Sequence, residues 1–155
     1  MSKNRDNTFQ IEHSVRVRKT PKGVKALVSS CVESDPPGTI VGLSQDPGQA
    51  GKDQIHTYVE MLAGTAVQYR RETGSKETRA KSFSAPCELG NVRIRRGDWN
   101  EFFLNELENF PPNDMGHDDC VDSVCGAYEI LALKKRAGTW GRKDRAKSAA
   151  NRRRW

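Results

Sequence analysis

The spacing of hydrophobic residues changes several times along the chain, and each change predicts an element. Phe9, Ile11, Val15 and Val17 fall on alternate residues, so 8–18 reads as a strand with one apolar face. Thr20-Pro21 supplies an N-cap and a proline at the first helical position. Val24, Leu27, Val28 and Cys31 follow at helical spacing and predict a helix over 21–34. Pro36-Pro37-Gly38 is a turn, and residues 39–44 (TIVGLS) are a short, buried-type strand ending at Gln45-Asp46-Pro47-Gly48. The next helix spans 50–63, with Ile55, Val59 and Leu62 on its apolar face and Gly64 as its stop. Residues 65–70 form a strand. Ser75 caps the helix after it, Pro86 weakens that helix's end and Gly90 closes it. Residues 91–95 form another strand. Asp98 caps an amphipathic helix over 99–109, anchored by Trp99, Phe102, Phe103, Leu107 and Phe110. A last helix runs from about residue 118 to about 136.

The order is β-α-β-α-β-α-β-α-α. Strands alternating with helices imply an α/β fold, with a parallel or mixed sheet flanked by helices. In such sheets ligands collect beyond the carboxyl ends of the strands, which singles out Asp46.

Composition narrows the class. A chain of 155 residues with 35% hydrophobic and 30% charged residues suits one folded domain. No apolar run approaches the ~20 residues of a membrane span. The opening MSKNRDNTFQIEHSVRVRK has no apolar secretory core, so the cytoplasm is the expected location. Cys31, Cys87, Cys120 and Cys125 are irregularly spaced and contain no CxxC pair, which predicts reduced thiols. A zinc site from His117, Cys120 and Cys125 is disfavoured, because two cysteines five apart on a helix diverge.

The charge is unevenly spread. Residues 134–155 hold ten of the 26 basic residues and one of the 20 acidic ones, a net of +9 against −3 for the rest. A basic tail over 134–155, beside a domain over 1–133, suggests a polyanionic partner such as nucleic acid, or simply a solvated terminus. Lys134, Lys135, Arg136, Arg142 and Lys143 are its candidate contacts.

A phosphate loop in DPGQAGKD fails inspection. The pattern G-x-x-x-x-G-K-[ST] would need glycine at Asp46 and a hydroxyl at Asp53, so no ATP site is expected. Lys52 remains as a candidate DNA contact.

The second acidic cluster, Gly116-His117-Asp118-Asp119-Cys120-Val121-Asp122, opens the last helix. On a helix, Asp118 and Asp122 lie about 40° apart, on the rim of the stripe formed by Val121, Val124, Cys125, Tyr128 and Leu131. Asp119 points further toward solvent. Aspartates in a first helical turn also serve the helix dipole. Carboxylates on a strand end and a helix start are nonetheless the donors that Mg²⁺ or Mn²⁺ takes, and two such ions could support phosphodiester cleavage. His117 would position a water or a phosphate, or would simply be an exposed loop residue. Lys76 and Arg79, at a helix N-terminus, suit phosphate or are ordinary surface charges.

Four runs in register resemble one family: QDPGQAGKDQ (45–54), TGSKETRAKSF (73–83), GNVRIRRGDWNEFFLNELENFP (90–111) and HDDCVDSVCGAY (117–128). Together they are similar to the C-terminal, RNase H-like nuclease domain of tailed-phage terminase large subunits, over roughly residues 8–133. The resemblance implies an RNase H-like mixed sheet flanked by helices and a metal-dependent endonuclease that cuts concatemeric double-stranded viral DNA in a bacterial host. It implies two Mg²⁺ or Mn²⁺ ions as cofactors. The terminase ATPase part, the small terminase subunit and the portal are the implied partners. Asp46 matches the family's second acidic position, and Asp118, Asp119 and Asp122 match the third. The first acidic position belongs to a strand upstream of 8–18. Only MSKNRDN precedes that segment, with Asp6 as a substitute, so the first strand is expected to be missing. The alternative is a catalytically inactive fragment that binds DNA or a packaging protein through the basic tail.

Overall fold

The computed structural model describes residues 1–46, 48–71, 74–112 and 117–132, so the basic tail lies outside the described residues. The chain opens with a hairpin that its hydrophilic sequence conceals. β1 (Ser2–Lys3) runs antiparallel to β2 (Phe9–Ile11), with Ser2 opposite Gln10 and Lys3 opposite Phe9. Polar side chains build the turn. Asp6 Oδ1 accepts from the Thr8 N–H at 3.0 Å and from the Thr8 hydroxyl at 2.7 Å, and Asn7 takes a φ of 65°. Asp6 is thus committed to the hairpin turn.

The strand expected over 8–18 shortens to three residues. β5 (Val92–Ile94) pairs with β2 in parallel only from Phe9–Val92 to Ile11–Ile94. Beyond that pairing the alternation has no sheet to bury against, and Val15 and Val17 stand 44% exposed.

A second sheet holds β3 (Ile40–Gln45) and β4 (Ala66–Arg71), parallel and in register from Ile40–Ala66 to Gln45–Arg71. α2 (Gln49–Met61) makes the crossover between them. α1 (Pro21–Ser34) leads from β2 to β3, and α3 (Lys76–Glu88) from β4 to β5. Thr20 caps α1 through its hydroxyl, as its sequence suggests. No α1 residue is fully buried: Val24, Leu27 and Val28 are half-covered and Cys31 is exposed. Pro86 does not break α3. It sits buried near the helix's end, and its carbonyl accepts from the Asn91 N–H at 2.9 Å.

α4 (Asn100–Glu108) starts differently from expectation. Asp98 makes no cap. Asn100 instead accepts from the Gly97 N–H at 2.8 Å and donates to the Arg95 carbonyl at 3.0 Å, which fixes the entry turn. α5 (Asp119–Ala132) starts one residue later than expected, and the Asp118 carbonyl accepts from the Asp122 N–H at 3.0 Å.

α5 joins the two sheets. Its Tyr128 ring lies 4.9 Å from Phe9 of β2 and 5.7 Å from Phe83 of α3. Further along, Ile130 packs so closely on β3 that any Cβ at Gly42 would collide with it. Ile11, Phe83, Trp99, Phe103, Cys120, Val121, Val124 and Cys125 form the core. Each large apolar member contributes about 1.5–3 kcal/mol by leaving water. α5 supplies four of the eight and is thereby fixed in place.

A candidate metal centre at the start of α5

α3 begins with an apparent conflict. Ser75 caps it, its hydroxyl accepting from the Thr78 N–H at 3.3 Å, yet Lys76 and Arg79 occupy the first turn. Cations are disfavoured at the positive end of a helix. The compensation comes from α5, packed alongside. Lys76 Nζ donates to Asp118 Oδ2 at 2.7 Å and lies 2.9 Å from Asp122 Oδ2. Arg79 Nη2 donates to Asp122 Oδ1 at 2.8 Å. The aspartates are themselves well placed at the N-terminal end of α5, where the dipole favours negative charge.

The cluster is half-sheltered: the Asp118 and Asp122 side chains are 24% and 22% exposed. Burial pushes the Asp122 pKa up, but hydrogen bonds from Lys76 and Arg79 outweigh it and leave that carboxyl below its ordinary value. The same bonds from Asp118 and Asp122 raise the Lys76 pKa above its ordinary range. Both shifts favour the charged forms of Asp122 and Lys76. Arg79 and Asp122 also line a cleft of about 590 Å³ between the two sheets, together with Lys3, Ser44, Arg70 and Arg71.

The oxygens of Asp118 and Asp122 converge on one cation, the Lys76 ammonium. Hard divalent ions take such carboxylate oxygens, at 2.0–2.1 Å for Mg²⁺. The donor type suits such an ion, but both carboxylates are already paired with Lys76 and Arg79. Two carboxylates alone make an incomplete shell, and among the described residues no group of three or more His, Cys, Asp or Glu gathers to hold a metal.

The other expected site residues stand elsewhere. Asp46 follows β3, is exposed, and has no hydrogen-bond or ion-pair partner among the described residues. Its carbonyl packs so tightly on α2 that Gly51 has no room for a Cβ. Asp119 is exposed. His117 is exposed and lines a different cleft, of about 550 Å³, with Arg16, Phe102, Glu106 and Pro112. Lys52 lines a hollow of about 490 Å³ with Gln45, His56, Tyr69 and Arg71. Lys134, Lys135, Arg136, Arg142 and Lys143 lie outside the described residues.

A family model for the terminase RNaseH-like domain matches residues 1–130. The chain belongs to the terminase RNaseH-like domain family. No curated protein and no solved structure matches it. Membership brings an RNase H-like architecture and a terminase nuclease-type role. The mixed α/β arrangement with two sheets is consistent with it. Among the described residues, no helix is long and apolar enough to cross a membrane.

Sequence reasoning missed one acidic group. Glu106 is buried, accepts from Arg16 Nη1 at 2.7 Å, and also accepts from the Cys120 N–H at the start of α5. Its signal was its position: it follows Phe102 and precedes Phe110 by four residues, on the stripe of α4 that carries the apolar anchors.

Proposed function

We propose that this chain is the nuclease domain of a terminase large subunit, a metal-dependent endonuclease that cleaves concatemeric double-stranded viral DNA during genome packaging. The observation that carries this reading is the half-sheltered Asp118–Asp122 pair converging on a cation at the start of α5, in a chain of this family. Asp118 and Asp122 would hold Mg²⁺ or Mn²⁺, with Asp46 at the end of β3 as the further acidic residue. The metal would supply a water activated at neutral pH and charge stabilisation for the leaving oxygen. Asp119 is the third acidic group of the same motif, and His117 the neighbouring donor for water or phosphate.

The chain's own cations do the rest. Arg79 orients Asp122 through Oδ1. Lys52, Lys76 and Arg79, with the tail's Lys134, Lys135, Arg136, Arg142 and Lys143, would meet the phosphate backbone. The small terminase subunit, the portal and the terminase ATPase part are the proposed protein partners, and the cytoplasm of a bacterial host the proposed location.

A second reading has its own support. The Lys76 and Arg79 pairings already neutralise Asp118 and Asp122 internally, which suits a non-catalytic module that binds DNA or a packaging protein through its tail. Plasmid cleavage by the purified chain, with Mn²⁺, Mg²⁺ or EDTA and an Asp46→Ala control, separates the two. Metal-dependent cutting that the substitution abolishes supports the nuclease. A folded chain that never cuts supports the binding module.

A further inference from the structure

We propose that the cleft between the two sheets is a docking site for one extended segment of a partner protein, which enters as a strand between β1 and β3. The inference goes beyond the nuclease reading and holds whether or not the chain cuts DNA. β3 pairs only with β4, and β1 only with β2, so among the described residues each has one edge without a strand partner. Residues of both strands, Ser2 and Lys3 of β1 and Ile40, Leu43 and Ser44 of β3, line the same cleft of about 590 Å³. Along such an edge, backbone N–H and C=O groups face outward and template a further strand. Parallel sheets are ordinarily covered on both faces, and a pair of strands is marginal alone. The β3–β4 sheet falls short on both counts: five of the six β4 residues are exposed, and Tyr69 stands 57% exposed.

The side chains of the cleft define the occupant. α5 lines it with Gly126, Ala127 and Ile130. Ile130 already lies against Gly42 of β3, whereas a Cβ at Gly126 would meet nothing within 4 Å. An apolar side chain of an added strand fills that space. Charge along β3 distinguishes the occupant's two ends. Asp35 precedes β3, and Arg71 stands in register with Gln45 at its far end. Both line the cleft, and neither has an ion-pair partner among the described residues. The segment therefore spans about the six residues of β3, with apolar side chains at alternate positions toward α5. It carries a basic residue at the Asp35 end and an acidic one at the Arg71 end. Main-chain pairing supplies affinity, and the alternate side chains supply specificity. A peptide suits this cleft better than a polyanion, because Arg70 and Arg79 in its lining are already paired with Glu129 and Asp122.

Affinity selection from a displayed library of short random peptides, with the purified full chain as bait, tests the proposal. Enriched peptides should alternate apolar residues and carry an acidic residue at one end. Synthetic copies should slow hydrogen exchange at the β3 amides. Gly126→Leu, which fills the open space, should weaken their binding about tenfold or more. Arg71→Glu, at an exposed position, should weaken acidic-ended peptides by a similar factor, and it serves alone if Gly126→Leu fails to fold by circular dichroism. No enrichment would overturn the proposal. So would enriched peptides that bind the folded variants as tightly as the unsubstituted chain. A dimer in sedimentation that Gly126→Leu dissolves, without peptide enrichment, would overturn the partner segment and assign the cleft to a second copy of this chain. None of these readouts depends on DNA cleavage, so failure here leaves the nuclease reading standing.

Discussion

Two carboxylate–cation clusters flank the N-terminal end of α5, and they are built to opposite specifications. On one side, Glu106 is buried and satisfied by Arg16 and the Cys120 N–H. Its carboxylate fastens α4 to the helix start and leaves no room for exchange. On the other, Asp118 and Asp122 keep about a quarter of their surface and share two cations from α3. One cluster spends a charge on holding two helices together. The other holds its charges where solvent ions and a phosphate can reach them. A fully enclosed carboxylate is part of the scaffold, whereas the half-sheltered Asp118 and Asp122 remain open to solvent.

Glu106→Ala should have the largest effect on stability. Arg16 is 39% exposed and can turn to solvent, so the loss, about 3 kcal/mol, comes chiefly from the buried Cys120 N–H left without its acceptor. The buried thiols beside it offer no replacement charge: burial and Glu106 push Cys120 up to about 11, and burial does the same to Cys125. Urea denaturation measures the loss. A stability change under 1 kcal/mol would remove the distinction between the clusters.

Asp122→Asn should cost less stability, about 1–3 kcal/mol for weakened charge-assisted bonds to Lys76 and Arg79, but should abolish Mn²⁺ binding and DNA cleavage. Calorimetry and plasmid nicking check the two halves separately. Full cleavage by a folded Asp122→Asn chain would move the chemistry elsewhere.

The pH dependence of the Asp118–Asp122 cluster has a definite sign. The Asp122 pKa is lowered in the fold, so its contribution is present above the ordinary value of 3.8 and is lost as pH falls through the folded value. The Lys76 pKa is raised, so its contribution is present below 10.5 and is lost as pH rises through the folded value. Denaturation midpoints between pH 5 and pH 3 should therefore fall more steeply for the unsubstituted chain than for Asp122→Asn. Parallel curves would mean that Asp122 contributes no proton-linked stability.

The smallest stability effect belongs to Asp46. It is exposed and has no ionic partner among the described residues, so Asp46→Asn should change stability by less than about 0.5 kcal/mol. Cleavage should nevertheless be lost. A nuclease unaffected by Asp46→Asn would confine the metal chemistry to α5.

Much of this was legible in the residue pattern. All five helices of the described residues lie where the helical spacing places them, because each carries an apolar stripe or a capping residue that acts locally. The strand over 8–18 was overread. Alternation at Val15 and Val17 is a local signal, but a strand also needs a neighbour, and β5 offers only three residues. β1 was invisible for the converse reason: Ser2 and Lys3 have no apolar pattern, and their pairing is imposed by the Asn4–Thr8 turn. The aspartates of the candidate site could be picked out singly, since they are short-range features of a strand end and a helix start. Their pairing with Lys76 and Arg79 could not, because it spans about 40 positions of sequence and depends on how α3 packs on α5. The same applies to Glu106, whose meaning comes only from contact with Cys120 and Arg16.

Anomalous diffraction from crystals soaked in Mn²⁺ tests the central claim most directly. The proposed nuclease function predicts a manganese peak within about 2.0–2.6 Å of oxygens from both Asp118 and Asp122. Crystals that hold Mn²⁺ at other sites while Lys76 still bridges the two aspartates would contradict it.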